Sequence, residues 1–361
     1  MTDVAEPGPP AARVSEPDDV ALMAEAVAVA EGARGLTAPN PWVGAVLVAG
    51  PGPANDRDGV GGRERFVGAT APPGGPHAEV EALTRAGARA RGGTLVVTLE
   101  PCAHHGRTPP CTEAIVAAGV RRVVVGMVDP DPLVQGRGIQ ALRAAGVEVV
   151  VGVGRDQVAE QLAPYVTHRR TGRPWVVLKL AATLDGRIAA PDGSSRWITG
   201  PEARADVHRL RATSDAVLVG AGTVRADDPS LTVRLPSDDP NYRDDASQPR
   251  RIVLGRAPAG AAVLPATELS GDLGVVLDRL GAEGVVQLLV EGGAHVAGDF
   301  HRQGLVDTYV LYLAPALLGG DDGQALFAGP GARSMADAWR GTVRSVTTLG
   351  SDIRVVVTPA G

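Results

Sequence analysis

Along most of the chain the hydrophobic positions alternate between two periods, one helical and one extended. Over residues 18–33, Val20, Met23, Ala24 and Val27 return at helical spacing behind an acidic start, with Gly35 placed as a stop, which predicts an amphipathic core helix. The apolar run 43–49 that follows Asn40-Pro41-Trp42 predicts a buried strand, then a Gly/Pro-rich loop over 50–63 and a short strand over 65–69. The same reading predicts helices over 77–92, 111–118 and 135–145, and strands over 94–99, 121–127 and 147–151. Strands alternating with helices are the pattern of an α/β sandwich around a largely parallel sheet.

The polar stretch 167–174 closes on Gly172, Arg173 and Pro174 directly before a new apolar run, which places a domain boundary there. Beyond it the alternation resumes. Strands are expected over 175–181, 216–219, 251–254, 285–290, 307–313 and 352–358, and helices over 201–212, within 274–280 and over 294–303. The expectation is therefore two α/β domains, 18–170 and 174–361, in keeping with about two cores for a chain of 361 residues. Residues 1–17, rich in Pro and acidic side chains, are expected to be a disordered tail, and the acidic stretch 238–245 a surface loop.

Composition narrows the class of function. With 44% hydrophobic and 21% charged residues, and no apolar run of bilayer length, the sequence is that of a globular protein without a membrane partner. The absence of a basic start and an apolar leader predicts a cytoplasmic chain. A net charge of −6 speaks against a general nucleic-acid surface, so an anionic ligand must meet a local site; a homo-oligomer is left open. Two scarcities stand out against this background. Of 35 basic residues only Lys179 is a lysine, and the only cysteines are Cys102 and Cys111. Where arginine has taken over every plain positive charge, a surviving lysine suits a task arginine cannot perform, that of a compact ammonium whose pKa burial can shift.

Both cysteines lie in the segment Pro101-Cys102-Ala103-His104-His105-Gly106-Arg107-Thr108-Pro109-Pro110-Cys111, between a predicted strand and a predicted helix. A bare cysteine pair is also compatible with a short surface disulfide or two inert thiols. His77-Ala78-Glu79 upstream and Pro101 shift the balance to a metal: His77, Cys102 and Cys111 supply three zinc ligands and leave a fourth position for water. A helix N-terminus beside the thiolates would favour their ionised form. Glu79 would then carry a proton from that water to a leaving amine.

These residues resemble the His-x-Glu…Pro-Cys…Cys pattern of zinc-dependent nucleobase deaminases. The eight-residue spacing between the cysteines, together with Asn40-Pro41-Trp42-Val43-Gly44, Asp129-Pro130-Asp131-Pro132 and Gly136-Arg137-Gly138, is similar to the deaminase domain of the bifunctional riboflavin-biosynthesis deaminase–reductase family. That resemblance implies that Asn40 helps to hold the base and that Arg107, with His104 or His105 nearby, lies close to a phosphoribosyl group. Residues 50–75 depart from the family's usual connection.

The second half carries no dinucleotide fingerprint: Gly152-Val153-Gly154 and Gly220-Ala221-Gly222 both lack the required glycine spacing, which excludes an ordinary Rossmann domain. Four segments in order, 178–187, 195–200, 222–234 and 289–293, are instead similar to the reductase domain of the same family. The resemblance implies a cytidine-deaminase-like α/β/α sandwich followed by a dihydrofolate-reductase-like α/β domain, with Zn2+ and NADPH as cofactors and phosphoribosylaminopyrimidines as substrates. By the same carry-over Ala181, Trp197, Thr223, Asp227 and Gly293 would contact NADPH, and Ser195, Arg211, Leu231, Arg234 and Glu291 the substrate, the arginines its phosphate. Lys179 would stabilise or protonate the charge that develops during hydride transfer. Between Arg251 and Glu291 the family usually has an additional strand and helix, and this chain is shorter there. The rival readings are a deaminase with an inactive or divergent reductase-like domain, a deaminase of nucleic-acid bases, and a zinc-stabilised protein without activity.

Overall fold

Asp18 and Asp19 stand in the first turn of α1 (Pro17–Glu31), the first element among the residues the computed structural model describes, which are 17–50, 64–105 and 109–360. Residues 1–16 of the expected tail, and the expected loop from 51 to 63, lie outside that range. The buried stripe of α1 is Leu22, Met23, Ala26, Val27 and Ala30, whereas Val20 is 54% exposed and Ala24 also faces outward, so the expected stripe is rotated. The cause is Asp19, whose buried carboxylate grips the buried Arg122 guanidinium through two hydrogen bonds of 2.7 and 2.8 Å and draws that face of the helix inward.

Two compact units emerge, Met1–Ala33 with Pro41–Leu162, and Arg34–Asn40 with Ala163–Gly361. The first continues with β1 (Gly44–Val48), β2 (Arg65–Ala69), α2 (Ala78–Ala86, extended by a 3-10 turn to Ala90), β3 (Thr94–Leu99), α3 (Cys111–Ala117), β4 (Arg122–Met127), α4 (Arg137–Ala144), β5 (Glu148–Val151) and α5 (Arg155–Gln161). Its sheet has the order β2-β1-β3-β4-β5. β1 runs antiparallel to both neighbours while β3, β4 and β5 are parallel, so the sheet is mixed, not largely parallel as the alternation suggested. A Cβ on Gly44 would lie 1.9 Å from the Ala26 carbonyl of α1, and one on Gly68 would lie 2.2 Å from the Ala78 carbonyl of α2. Gly44 and Gly68 sit one register step apart on paired strands and point to opposite faces, so the two helices sandwich the sheet at van der Waals distance.

The second unit opens with α6 (Ala163–Thr171), so the polar stretch expected to be the boundary is helical up to Thr171. Then follow β6 (Trp175–Thr183), β7 (Arg187–Ala189), α7 (Pro201–Ala212), β8 (Ala216–Gly220), α8 (Ala221–Asp227), β9 (Arg250–Leu254), β10 (Thr267–Leu269), α9 (Leu273–Ala282), β11 (Gln287–Val290), α10 (Ala294–Arg302), β12 (Thr308–Ala314), β13 (Gln324–Ala325), β14 (Gly341–Leu349) and β15 (Asp352–Pro359). The main sheet has the order β10-β9-β8-β11-β6-β12-β15-β14, parallel from β10 to β12 and antiparallel from there to the edge; β7 and β13 form a separate ribbon. The shortened segment between Arg251 and Glu291 contains β10 and α9, the latter being the helix expected within 274–280.

Two cores lie on the two faces of this sheet. Leu178 and Leu180 of β6 join one with Val276 and Leu277 of α9 and Phe300 of α10, while Val177 joins the other with Val207 of α7 and Val224 of α8. Strand alternation therefore turns Lys179 toward the α7 face of the central strand. Among the described residues no helix is long and apolar enough to cross a membrane.

Candidate active sites

In the first unit, His77 sits at the N-cap of α2 in extended conformation, Cys102 follows the end of β3, and Cys111 opens α3. The His77 Nδ1 atom lies 3.2 Å from Cys111 Sγ and 3.6 Å from Cys102 Sγ, and the three ligand atoms are all within 4.8 Å of one another. Tetrahedral zinc bound at about 2.1 Å to nitrogen and about 2.3 Å to sulfur would space such atoms about 3.6–3.8 Å apart, so the donor set fits that ion in both chemistry and size. Among the described residues this is the one group of three or more His, Cys, Asp or Glu side chains so arranged. The first N–H of α3, that of Cys111, donates to Cys102 Sγ at 3.3 Å. The Cys111 thiol donates its proton toward Cys102, which holds Cys102 down at about 4 and pushes Cys111 well above the usual thiol range. The hydrogen bond with Cys102 also raises His77.

Glu79 lies on the buried side of α2, two residues from His77, and only 4% of it is exposed. Burial pushes its carboxyl up to about 7, where it can both take and release a proton near neutrality. His104 and His105 are exposed, and His105 Nε2 lies 3.7 Å from a Glu113 carboxylate oxygen. Arg107 lies outside the described residues. Asn40 ends the segment grouped with the second unit, where its N–H closes a turn onto the Thr37 carbonyl at 2.8 Å.

In the second unit, β6 places Lys179 between its two sheet neighbours. Glu291, just past β11, brings a carboxylate oxygen to 4.0 Å from Lys179 Nζ, and the ring of Tyr312 on β12 lies 6.0 Å away on the other side. Burial lowers the Lys179 pKa, with Glu291 partly opposing it. Burial alone would raise Glu291, but the charge and hydrogen bonds of Arg211 outweigh it and hold the carboxyl at about 2. Arg211, on α7, reaches Glu291 with Nε at 2.5 Å and Nη2 at 3.0 Å, and its Nη1 donates to the Thr232 carbonyl at 3.0 Å. Its guanidinium is thus largely committed within the protein, and the exposed Arg234, braced on Ser230 Oγ (2.6 Å) and Thr232 Oγ1 (3.0 Å), is the arginine better placed for a phosphate.

The other expected residues divide. Thr223 Oγ1 donates to the Gly292 carbonyl at 3.2 Å, and a Cβ on Gly293, at φ +23°, would come within 2.8 Å of Thr223 Oγ1. The Thr223 hydroxyl thus packs against the glycine at the start of α10, a helix N-terminus of the kind that suits a dinucleotide phosphate. Ser195 Oγ reaches Asp227 Oδ1 at 3.4 Å, which unites a substrate candidate with a cofactor candidate. Trp197 is exposed, with the Arg204 guanidinium 4.6 Å over its ring, and Ala181 lies on β6 two residues beyond Lys179. Leu231 departs from expectation: its side chain is 2% exposed and part of the core, so only its backbone, at φ +55°, remains for a ligand.

Sequence reasoning missed Glu100, whose only signal was its place between a strand and Pro101-Cys102. It also missed Asp206 and Tyr312, which are 106 residues apart in the chain and carry no local motif. The Tyr312 hydroxyl donates to Asp206 Oδ2 at 2.7 Å, and Arg354 Nη1 meets both oxygens of that carboxylate at 3.0 and 2.9 Å. Residues 16–127 match the model of the cytidine and deoxycytidylate deaminase zinc-binding region, and residues 174–355 that of the RibD C-terminal domain. The riboflavin biosynthesis protein RibD of Bacillus amyloliquefaciens is 39% identical over 93% of this chain and 95% of its own length. That of Escherichia coli is 39% identical over 93% and 98%. Among solved structures, Acinetobacter baumannii RibD (form 1) superposes with a TM-score of 0.84 at 38% identity over 95% of this chain and 99% of that one. A Thermotoga maritima diaminohydroxyphosphoribosylaminopyrimidine deaminase/5-amino-6-(5-phosphoribosylamino)uracil reductase does so with 0.81 at 34% over the same shares.

Proposed function

The chain belongs to the bifunctional deaminase–reductase family of riboflavin biosynthesis, and from this premise we propose a two-step path for its substrate. The first unit converts 2,5-diamino-6-(5-phosphoribosylamino)pyrimidin-4(3H)-one and water to 5-amino-6-(5-phosphoribosylamino)uracil and ammonia. The second reduces the ribosyl group of that product to ribityl with NADPH. The reading rests above all on the triangle of His77, Cys102 and Cys111 with the buried Glu79 beside it.

Zinc, when bound by His77, Cys102 and Cys111, supplies the Lewis acidity that makes water nucleophilic at neutral pH. Glu79 accepts the proton that water gives up on attacking the ring carbon bearing the exocyclic amine. It then passes a proton to that amine, so that ammonia departs as a neutral leaving group. Cys111, in the first turn of α3, and Cys102, which accepts the Cys111 N–H, are held in place before the substrate arrives.

In the second unit Thr223 and the Gly292-Gly293 corner hold NADPH, which supplies the hydride for C1′ of the opened, imine-like sugar. Lys179 gives a proton to the nitrogen that takes up the electron pair of the C1′–N double bond as the hydride adds, and Glu291 keeps its ammonium oriented. Arg234 takes the substrate phosphate and Ser195 the sugar. We place the enzyme, with its small-molecule substrates, in the cytoplasm.

The test is Glu79→Gln, with ammonia release and NADPH oxidation followed separately on one preparation. Ammonia release from the diaminopyrimidine should fall by at least about 100-fold while reduction of the pyrimidinedione continues. Ammonia release at the wild-type rate would sink the assignment.

A further inference from the structure

The segment from Asp129 to Gly138 was singled out by its sequence, yet none of its residues enters the chemistry above. In the fold it wraps around one side chain. Glu100 is 4% exposed, and its carboxylate accepts four backbone N–H groups: those of Gly138 (2.9 Å) and Ile139 (3.2 Å) on Oε1, and those of Gly136 (2.9 Å) and Asp129 (3.3 Å) on Oε2. Its own N–H donates to Met127 at 3.0 Å, so the residue is pinned to β4 by its backbone and to the start of α4 by its side chain. Asp129 and Asp131 each accept an N–H two residues on, at 2.9 Å, and so fold the loop that presents those donors.

Glu100 is also two residues before Cys102. Past it, a Cβ on Gly138 would lie 1.8 Å from the Pro101 carbonyl, so the first turn of α4 abuts the backbone that delivers the cysteine. On its far side, the Cys102 carbonyl accepts the Thr112 N–H at 3.2 Å. Four donors exhaust the acceptor capacity of a carboxylate, and they meet it at a helix N-terminus where a negative charge is favoured. We propose that Glu100, clamped by the 129–139 segment, is a positioning residue that fixes the Pro101-Cys102 backbone and thereby holds Cys102 in the geometry the metal demands. The proposal rests on the zinc-deaminase reading.

The chemistry of the clamp selects the test. A glutamine has the same shape but only one accepting oxygen, and its NH2 group would face backbone donors. In the full-length zinc-loaded chain, Glu100→Gln should release zinc to a chelator about 10- to 100-fold faster than the wild type, the range that supporting partners of metal ligands command. The visible bands of the cobalt-substituted protein should shift, and NADPH oxidation by the same preparation should stay unchanged. Glu100→Asp, which keeps the charge but loses the reach of one methylene, should release zinc at an intermediate rate; it decides the matter if the glutamine variant does not fold. Wild-type zinc release and an unshifted cobalt spectrum, even with a lowered melting temperature, would overturn the proposal and leave Glu100 a purely structural residue. A wild-type chain that takes up no zinc at all would overturn the deaminase reading itself and the proposal with it.

Discussion

At the scale of single residues, the scarce lysine falls in a buried, charged setting. In a chain that uses arginine almost everywhere, Lys179 is held at the centre of a sheet where burial lowers its pKa and Glu291 keeps it oriented. Lys179→Arg preserves charge but supplies a planar cation that does not release its proton. Hydride transfer should fall by about 100-fold or more, with ammonia release untouched, as separate assays of the two steps would read. In the wild type, reduction should decline as alkali removes the Lys179 proton, and burial sets this limb below the ordinary 10.5. Glu291 makes the acid side legible. Its folded pKa of about 2 lies below its ordinary 4.5, so its contribution to stability is complete above 4.5 and is lost as the pH falls through 2. Melting curves of the wild type should drop through this window. Glu291→Gln should show a smaller drop there, together with a loss of about 3–5 kcal/mol at neutral pH because Arg211 is left without its buried partner.

At the scale of elements, α7 carries both supports of the lysine. Arg211 near its end ties it to Glu291 on one side of Lys179, and Asp206 in its middle ties it to Tyr312 on the other, with Arg354 of β15 behind. Removing the Tyr312 hydroxyl with Tyr312→Phe leaves the ring beside Lys179 but takes one hydrogen bond from a buried carboxylate, at a cost of about 1–3 kcal/mol in denaturant melts. Such a contact has no local sequence pattern: Asp206, Tyr312 and Arg354 come from three elements that only the fold assembles. The same limit explains α1, where the period of the helix was legible but its rotation was not, because a buried pair with Arg122, 103 residues away, decides which face turns inward. Edge strand β14 escaped notice for a related reason. Val343 and Val346 are exposed there, so its hydrophobic positions mark no core.

At the scale of the whole molecule, one chain carries two chemistries with separate requirements. Exhaustive chelation should stop ammonia release, while NADPH oxidation supported by the pyrimidinedione continues; loss of both activities on chelation would show that the reductase also depends on the metal. Sequence alone determined the alternation of strands and helices, the candidate metal group of His77, Cys102 and Cys111 with Glu79 beside it, and the ordered reductase motifs, because each is written in local periods or in spacings within a few dozen residues. Tertiary structure alone decided that β1 runs antiparallel, that Leu231 belongs to the core, that Arg211 is spent on Glu291, and that Glu100 is clamped beside Cys102. These are outcomes of burial and long-range pairing: a polar group taken out of water must find its partner wherever the fold supplies one, and that partner leaves no mark in the residues next to it.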